Sequence, residues 1–349
     1  MIPRSSDGKI RVLSLSYGKD SMACLGAIEK LGWPLDGIVT AEVWATQDIP
    51  ADLPPMVEFK AKADAIIKER WGLEVKHCCA MRGGRDCHTN GSSSPTQAEA
   101  NTENISTDSP KSREAGARSS NTGEKLTYED IFYRTIKNPK IRRGELVYRP
   151  QTKSNMGWAT KWSQYCTTEL KRAGITDSLK SRETGATATS NNQFSDDRQP
   201  QGGEKNIVVS YLGIAVDEPK RLARLDGKTK VSPLAAIGWT EADCRAWCEK
   251  EGLLSPIYTT ATRGGCWFCH NQSIGQLRLL RKNYPDLWAL LLKWDTDSPV
   301  TFKPDGHTVH DFDKRFQMED EIGRDIPKFR WSMMEQGVQM NVFDLLEET

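Results

Sequence analysis

Two short stretches hold residue types whose spacing suits chemistry. The first, Leu13-Ser-Leu-Ser-Tyr-Gly-Lys-Asp-Ser21, leaves a run of β-forming residues and enters a helical pattern. At such a junction the helix start has unpaired N–H groups and a positive dipole end, which together favour an anion. Gly18 lets backbone approach a phosphate, Lys19 adds a mobile positive charge, and the Ser16 and Ser21 hydroxyls can donate to phosphate oxygens. Ser14, Ser16, Tyr17, Gly18, Lys19, Asp20 and Ser21 are therefore the expected phosphate loop, with Lys19 and Asp20 also expected to be catalytic. The Gly-x-x-x-x-Gly-Lys-Ser/Thr spacing of a Walker A loop is absent. The second stretch, Gly264-Gly-Cys-Trp-Phe-Cys-His270, places two thiols on one side of a tight turn. That spacing suits zinc or an iron–sulfur cluster, but it is half a site and needs ligands from elsewhere.

The elements that must position these groups are legible in the pattern of apolar residues. Residues 9–16 and 37–44 and the segment Leu73–His77 read as strands, and residues 21–31 and 56–71 as the helices between them. Strand-helix-strand-helix-strand implies a mostly parallel sheet with right-handed crossovers. Residues 126–140 look helical and 206–213 read as a further buried strand. Thr240 is a plausible N-cap for a helix running to about Glu251, with Gly252 as its stop. From Ile274 onward the pattern is helical and rich in Leu and Trp.

Two stretches, 86–124 and 181–205, are dominated by Ser, Thr, Asn, Gly and charged residues. They cannot bury enough apolar surface to offset their ordering entropy and are expected to be disordered inserts. They share wording, Lys111-Ser-Arg-Glu-Ala-Gly-Ala117 against Lys180-Ser-Arg-Glu-Thr-Gly-Ala186; coincidence within biased composition explains this better than related insertions do. The chain has 349 residues, 37% of them hydrophobic, and a formal net charge of +1, so no global attraction to nucleic acid or anionic membrane is built in. No stretch reaches the roughly 20 apolar residues of a membrane span, and the opening residues lack the apolar core of a secretion signal. The expectation is a cytoplasmic protein, whose nine cysteines serve a metal or catalysis rather than a disulfide framework.

The Ser-Tyr-Gly-Lys-Asp-Ser21 loop resembles the Ser-x-Gly-x-Asp-Ser loop of the PP-loop superfamily, the adenine nucleotide alpha-hydrolases. Its Gly-Lys-Asp-Ser form resembles the phosphoadenosine phosphosulfate (PAPS) reductase-like branch. Further segments are similar to that branch in order along the chain: Cys166-Thr-Thr-Glu-Leu-Lys171, Gly213-Ile-Ala-Val-Asp-Glu-Pro-Lys-Arg221, Trp239-Thr-Glu-Ala-Asp243 and Ser255-Pro-Ile-Tyr258. The resemblance spans roughly residues 10–290 without the inserts. It implies an α/β, Rossmann-like parallel sheet with helices on both faces, over residues 8–265. A Cys-x-x-Cys turn and a helical C-terminal extension follow, over 266–349. It implies that Lys171 and Arg221 meet substrate anions, that Glu218 orients Arg221, and that Gly213 lies by the nucleotide. Val43 and Trp44 would read the base edge through their backbone.

The same resemblance implies a metal set of Cys166, Cys248, Cys266 and Cys269, with His270 and Cys244 in reserve. The metal would be a [4Fe-4S] cluster or, alternatively, zinc. Cys166 is not followed by a second Cys, a departure from the cluster-binding sulfonucleotide reductases. The implied ligands are ATP, or PAPS and its unphosphorylated form APS, with Mg2+. The thioredoxin-dependent reductases carry a nucleophilic Cys in a C-terminal Glu-Cys-Gly-Leu-His tail, whereas this chain's last cysteine is Cys269. Adenylation with release of pyrophosphate, coupled to sulfur transfer, is therefore expected ahead of sulfonucleotide reduction. A cysteine desulfurase as sulfur donor and a nucleic-acid or small-molecule acceptor follow from it. A third expectation is a non-catalytic nucleic-acid-binding module, from the basic and aromatic residues of Leu277–Trp288.

Overall fold

The computed structural model describes residues 2–82, 124–135, 141–142, 145–146, 155–160, 164–183, 207–259, 264–326, 329 and 331. Two compact units divide the chain: Met1–Tyr128 with Tyr165–Cys266, and Glu129–Gln164 with Trp267–Thr349. The sequence reading divides the chain once, between residues 265 and 266, whereas Cys266 belongs to the first unit. The second unit also takes in Glu129–Gln164, which the sequence places in the first.

The first unit begins with β1 (Lys9–Ser14), α1 (Lys19–Leu31), β2 (Gly37–Glu42), α2 (Pro54–Trp71) and β3 (Val75–Cys79). After α3 (Tyr128–Phe132), β4 (Ile141–Arg142) and β5 (Glu145–Leu146), it resumes with a π-helical run, Cys166–Arg172, that continues into α4 (Ala173–Glu183). Then come β6 (Ile207–Tyr211), α5 (Pro219–Leu222), β7 (Lys230–Val231), α6 (Pro233–Ile237) and α7 (Glu241–Lys250). Five strands form one all-parallel sheet in the order β3-β2-β1-β6-β7. The fold is thus α/β and Rossmann-like. The chain moves outward from β1 to β2 and β3, then returns to the other side of β1 with β6. That reversal opens a crevice at the carboxyl ends of β1 and β6, where ligands of such sheets bind.

Side-chain alternation explains the layers. Leu13 and Ile38 face a core with Met22 and Ile28 of α1, Phe59 and Ile67 of α2, Leu234 of α6 and Trp247 of α7. Their neighbours Val12 and Val39 face the other side, where Cys78 joins them against Ile175 and Leu179 of α4. Helix α1 is buried continuously over Ser21–Ile28 because the sheet covers one side and α6 and α7 cover the other. Gly26 makes that packing possible: a Cβ there would lie 2.3 Å from Trp247 Cε2. Thr240 caps α7 through a reciprocal bond with Asp243, as its sequence position predicts.

The expected inserts lie outside the described residues, with two exceptions. Glu124 pairs with Arg82 at 3.0 Å, and residues 181–183 continue α4. The helix expected over 126–140 is the single turn of α3, and residues 136–140 lie outside the described residues.

In the second unit, α8 (Ile274–Asn283), α9 (Pro285–Asp297) and α10 (Val309–Ile322) follow the Cys-x-x-Cys turn. Trp158, Trp267, Trp294, Phe132 and Phe302 form an aromatic core with ring centroids 5.0–6.1 Å apart. The basic and aromatic stretch Leu277–Trp288 turns inward: Leu277, Leu280 and Trp288 are buried. Arg278 pairs with Glu319 and Asp325, and Arg281 with Asp313 and Asp320. Trp288 is core, Tyr284 is half-buried, and the two arginines are paired within the unit.

Candidate functional site

A cavity of about 450 Å³ opens within the first unit at the carboxyl edge of the sheet. Ser14 at the end of β1, Thr40 and Ala41 of β2, and Gly213 just past β6 all line it, which places it at the crevice the topology creates. Of the expected residues, Ser14, Ser16, Tyr17, Gly18, Asp20, Ser21, Val43, Lys171, Gly213, Arg221 and Cys266 are brought together around it.

The loop is held by its own hydroxyls. Ser21 Oγ donates to Gly18 O at 3.0 Å, accepts from Ser16 N at 3.1 Å and lies 3.0 Å from Ser16 Oγ. Gly18 is the N-cap of α1 in extended conformation with no side-chain cap, so the next amides begin the helix without intrahelical acceptors. One of them is already satisfied: Lys19 N–H donates to Tyr258 Oη at 3.0 Å. Tyr258 lines the cavity, and burial raises its phenol pKa, so its own proton remains available to donate. Gly213 packs against this turn so closely that a Cβ would come within 2.6 Å of Ser21 N.

Tyr17 is the one non-glycine residue with positive φ (56°) among the described residues, a costly conformation for a bulky side chain. Its ring is buried, and its hydroxyl donates to Asp64 Oδ1 at 2.6 Å. Asp64 Oδ2 lies 2.8 Å from His77 Nε2, whose Nδ1 lies 2.7 Å from Glu42 Oε1. Burial opposes charge on His77, but the bonds to Asp64 and Glu42 outweigh it and hold its pKa at about 9. Protonated His77 then donates to both carboxylates. Burial, followed by the charge of Asp64, pushes the Tyr17 phenol far above its ordinary value. The network fixes the loop from beneath.

Lys19, Trp44 and Glu218, though expected there, do not line the cavity, whereas Asp20 and Val43 do. Lys19 directs Nζ to Asp20 Oδ1 at 2.9 Å and to Glu241 Oε2 at 2.6 Å. Burial disfavours its charge, yet these two partners raise its pKa overall. Asp20 is raised by burial against the pull of Lys19. The Val43 and Trp44 carbonyls accept from Ala51 N at 2.9 Å and Tyr128 N at 2.8 Å, so both are engaged within the chain. The Trp44 ring lies beneath Lys125 Nζ at 3.2 Å. Glu218 accepts two bonds from Arg221, at 2.5 and 2.7 Å.

The four cysteines expected to hold a metal are placed differently from one another. Cys266 lines the cavity, and Cys166 opens the π-helical run that carries Lys171. Cys248 is buried in the core with Cys24 and Cys244, and its Sγ–H donates to Lys19 O at 3.2 Å. Burial pushes the Cys248 and Cys244 thiols up to about 12, so both are protonated in the metal-free protein. Cys269 and the reserve ligand His270 belong to the second unit. Among the described residues no three Cys, His, Asp or Glu side chains gather in a metal-holding group. Cys248 and Cys266 both lie in the first unit, Cys248 in its core and Cys266 at the cavity. A nucleotide-borne Mg2+ asks less, because it takes most of its ligands from phosphates and water; Asp20 and Asp52 are the carboxylates lining the cavity.

Two lining residues gave no sequence signal of their own. Asp52, in the turn before α2, and Lys60, in the second turn of that helix, are joined by an ion pair of 2.5 Å; the helix reads as an ordinary charged one. Among the described residues no helix is long and apolar enough to cross a membrane. No family model matches the chain, and neither does any curated protein or solved structure.

Proposed function

We propose that the first unit is an adenine nucleotide alpha-hydrolase-like domain of PP-loop type that binds ATP and cleaves it between the α and β phosphates. The observation that carries this is the meeting, in one cavity at the sheet's switch point, of the Ser16–Ser21 turn with Lys171 and Arg221. The volume suits a nucleotide. An acceptor oxygen attacks the α phosphorus, the α–β bridging bond breaks, and pyrophosphate leaves with the developing charge. The loop amides and Ser21 hold that charge in place, and Lys171 and Arg221 offset it. Mg2+ bound with the nucleotide would neutralise phosphate charge, with Asp20 as its protein ligand. The adenylated acceptor is then open to a sulfur nucleophile, which forms the new bond as AMP departs. A cytoplasmic cysteine desulfurase is the class of donor that suits this step.

The test is nucleotide turnover: AMP and pyrophosphate should form from ATP, and Lys171→Ala or Arg221→Ala should reduce their formation by about 10²-fold. Calorimetry in which neither ATP nor a sulfated adenosine nucleotide binds the folded protein would sink the proposal.

One observation favours a second reading, sulfonucleotide reduction. Cys266 lines the cavity and places a thiol beside the proposed nucleotide. Attack of its thiolate on the sulfate sulfur would yield an S-sulfonated Cys266 and release the adenosine phosphate; a dithiol would then free sulfite. Sulfite formed from PAPS with thioredoxin, and lost in Cys266→Ser, distinguishes this from adenylation.

A further inference from the structure

Lys19, the lysine its sequence position marks as the phosphate ligand, spends its ammonium on Asp20 and Glu241 and does not line the cavity. Lys60 does line it. Its side chain is only 13% exposed and reaches back along α2 to Asp52, also a cavity residue, at 2.5 Å. Its ammonium lies 5.2 Å from the centroid of the Tyr17 ring, which belongs to the phosphate loop. The positive charge therefore sits over the side chain of a loop residue, held by a carboxylate that also lines the cavity. A lysine's flexible four-carbon stem lets its ammonium be re-aimed from one anionic partner to another.

We propose that Lys60 is the cavity's own phosphate-gripping ammonium and that Asp52 is the internal anion it exchanges for the nucleotide's phosphates. This rests on the polyphosphate reading of the cavity and names a residue that reading did not contain. With the cavity empty, the Asp52 carboxylate keeps a buried ammonium paired. When a polyphosphate enters, Lys60 turns to it, and the Asp52 charge works against the ligand. The two members of the pair therefore act in opposite directions on binding. A pair that served only to brace α2 would weaken binding when either side was removed.

The experiment is calorimetric titration of ATP, ADP, AMP and adenosine into the full-length protein at fixed ionic strength without divalent cations. Lys60→Met should weaken ATP binding by about 10- to 100-fold, weaken AMP less, and leave adenosine unchanged. Asp52→Asn should tighten ATP several-fold and leave adenosine unchanged. Lys60→Arg, which keeps the charge, should retain most of the affinity and guards against a folding defect in Lys60→Met. Equal weakening by Lys60→Met and Asp52→Asn, or ATP affinity unchanged in both, overturns the assignment while leaving nucleotide binding intact. Wild-type protein that binds neither ATP nor adenosine removes the polyphosphate reading, and this assignment with it.

Discussion

Gly213→Ala tests whether the contact between the β6 end and the phosphate loop sets the site. Gly213 does not occupy the left-handed region, so alanine's backbone preferences are not at issue and the effect is steric. The added Cβ would lie 2.6 Å from Ser21 N, 2.7 Å from Ser21 Cα and 2.8 Å from Asp20 C. All three are backbone atoms of the loop's last turn, where no side chain can rotate away. Ordinary contact begins near 3.4 Å, so the first turn of α1 and the β6 end must separate by roughly 0.8 Å. Overpacking of this kind costs about 1–3 kcal/mol, and a shift approaching 1 Å in a positioning element costs about 10²-fold in activity. Scanning calorimetry should show the melting temperature falling by about 2–10 °C. Titration should show ATP binding weakened by about 10²-fold, beyond what stability loss explains. A Gly213→Ala protein with unchanged melting temperature and ATP affinity would refute the claim that this contact fixes the loop.

Three further outcomes are expected from the structure. The folded pKa of His77, about 9, lies above its ordinary 6.5, so its contribution to stability is full below pH 6.5 and is lost as pH rises through about 9. Urea denaturation across that window should show a decline of about 1–3 kcal/mol that His77→Gln flattens. Gly26→Ala, whose Cβ would meet the Trp247 ring at 2.3–2.6 Å, should lose about 1–3 kcal/mol, and Trp247→Leu in the same chain should recover part of it. Equal and additive losses would place the strain elsewhere. Cys248→Ala should cost about 1–2 kcal/mol and leave the metal content of the purified protein unchanged, because this thiol packs in the core and donates to Lys19 O. Loss of bound metal in this variant would restore Cys248 as a ligand.

The parallel sheet was legible because β1, β2 and β6 are apolar runs whose neighbours face opposite layers, a period the sequence displays directly. The loop was legible because Gly18 and the serines have local roles: Ser16, Gly18 and Ser21 bond to one another within six residues. Lys19 shows the limit of a local reading. Its local position suggests a phosphate, but Glu241, more than two hundred residues away, takes its charge. Lys60 gave no such signal, and Tyr258 only as part of the Ser255–Tyr258 segment, since what makes each of them part of the site is the return of distant chain to the loop. The cysteines fall between these cases: spacing marks a Cys-x-x-Cys turn, yet only packing shows that Cys248 is enclosed by Cys24, Cys244 and Trp247.

The π-helical run before α4 reconciles two anchors. On its upstream side the Tyr165 ring stacks on Tyr128 at 5.9 Å; on its downstream side Ile175 and Leu179 are seated on the sheet. A turn that accommodates one residue more than an α-helix rotates the chain before it by about 100° relative to the helix after it. Substitution along Cys166–Arg172 leaves that phase intact, but excising a single residue would let the segment relax to ordinary helix. The stacked tyrosine would then lose its neighbour, or Lys171 would swing out of the cavity. Length, more than side-chain identity, is what natural variation in this stretch should preserve.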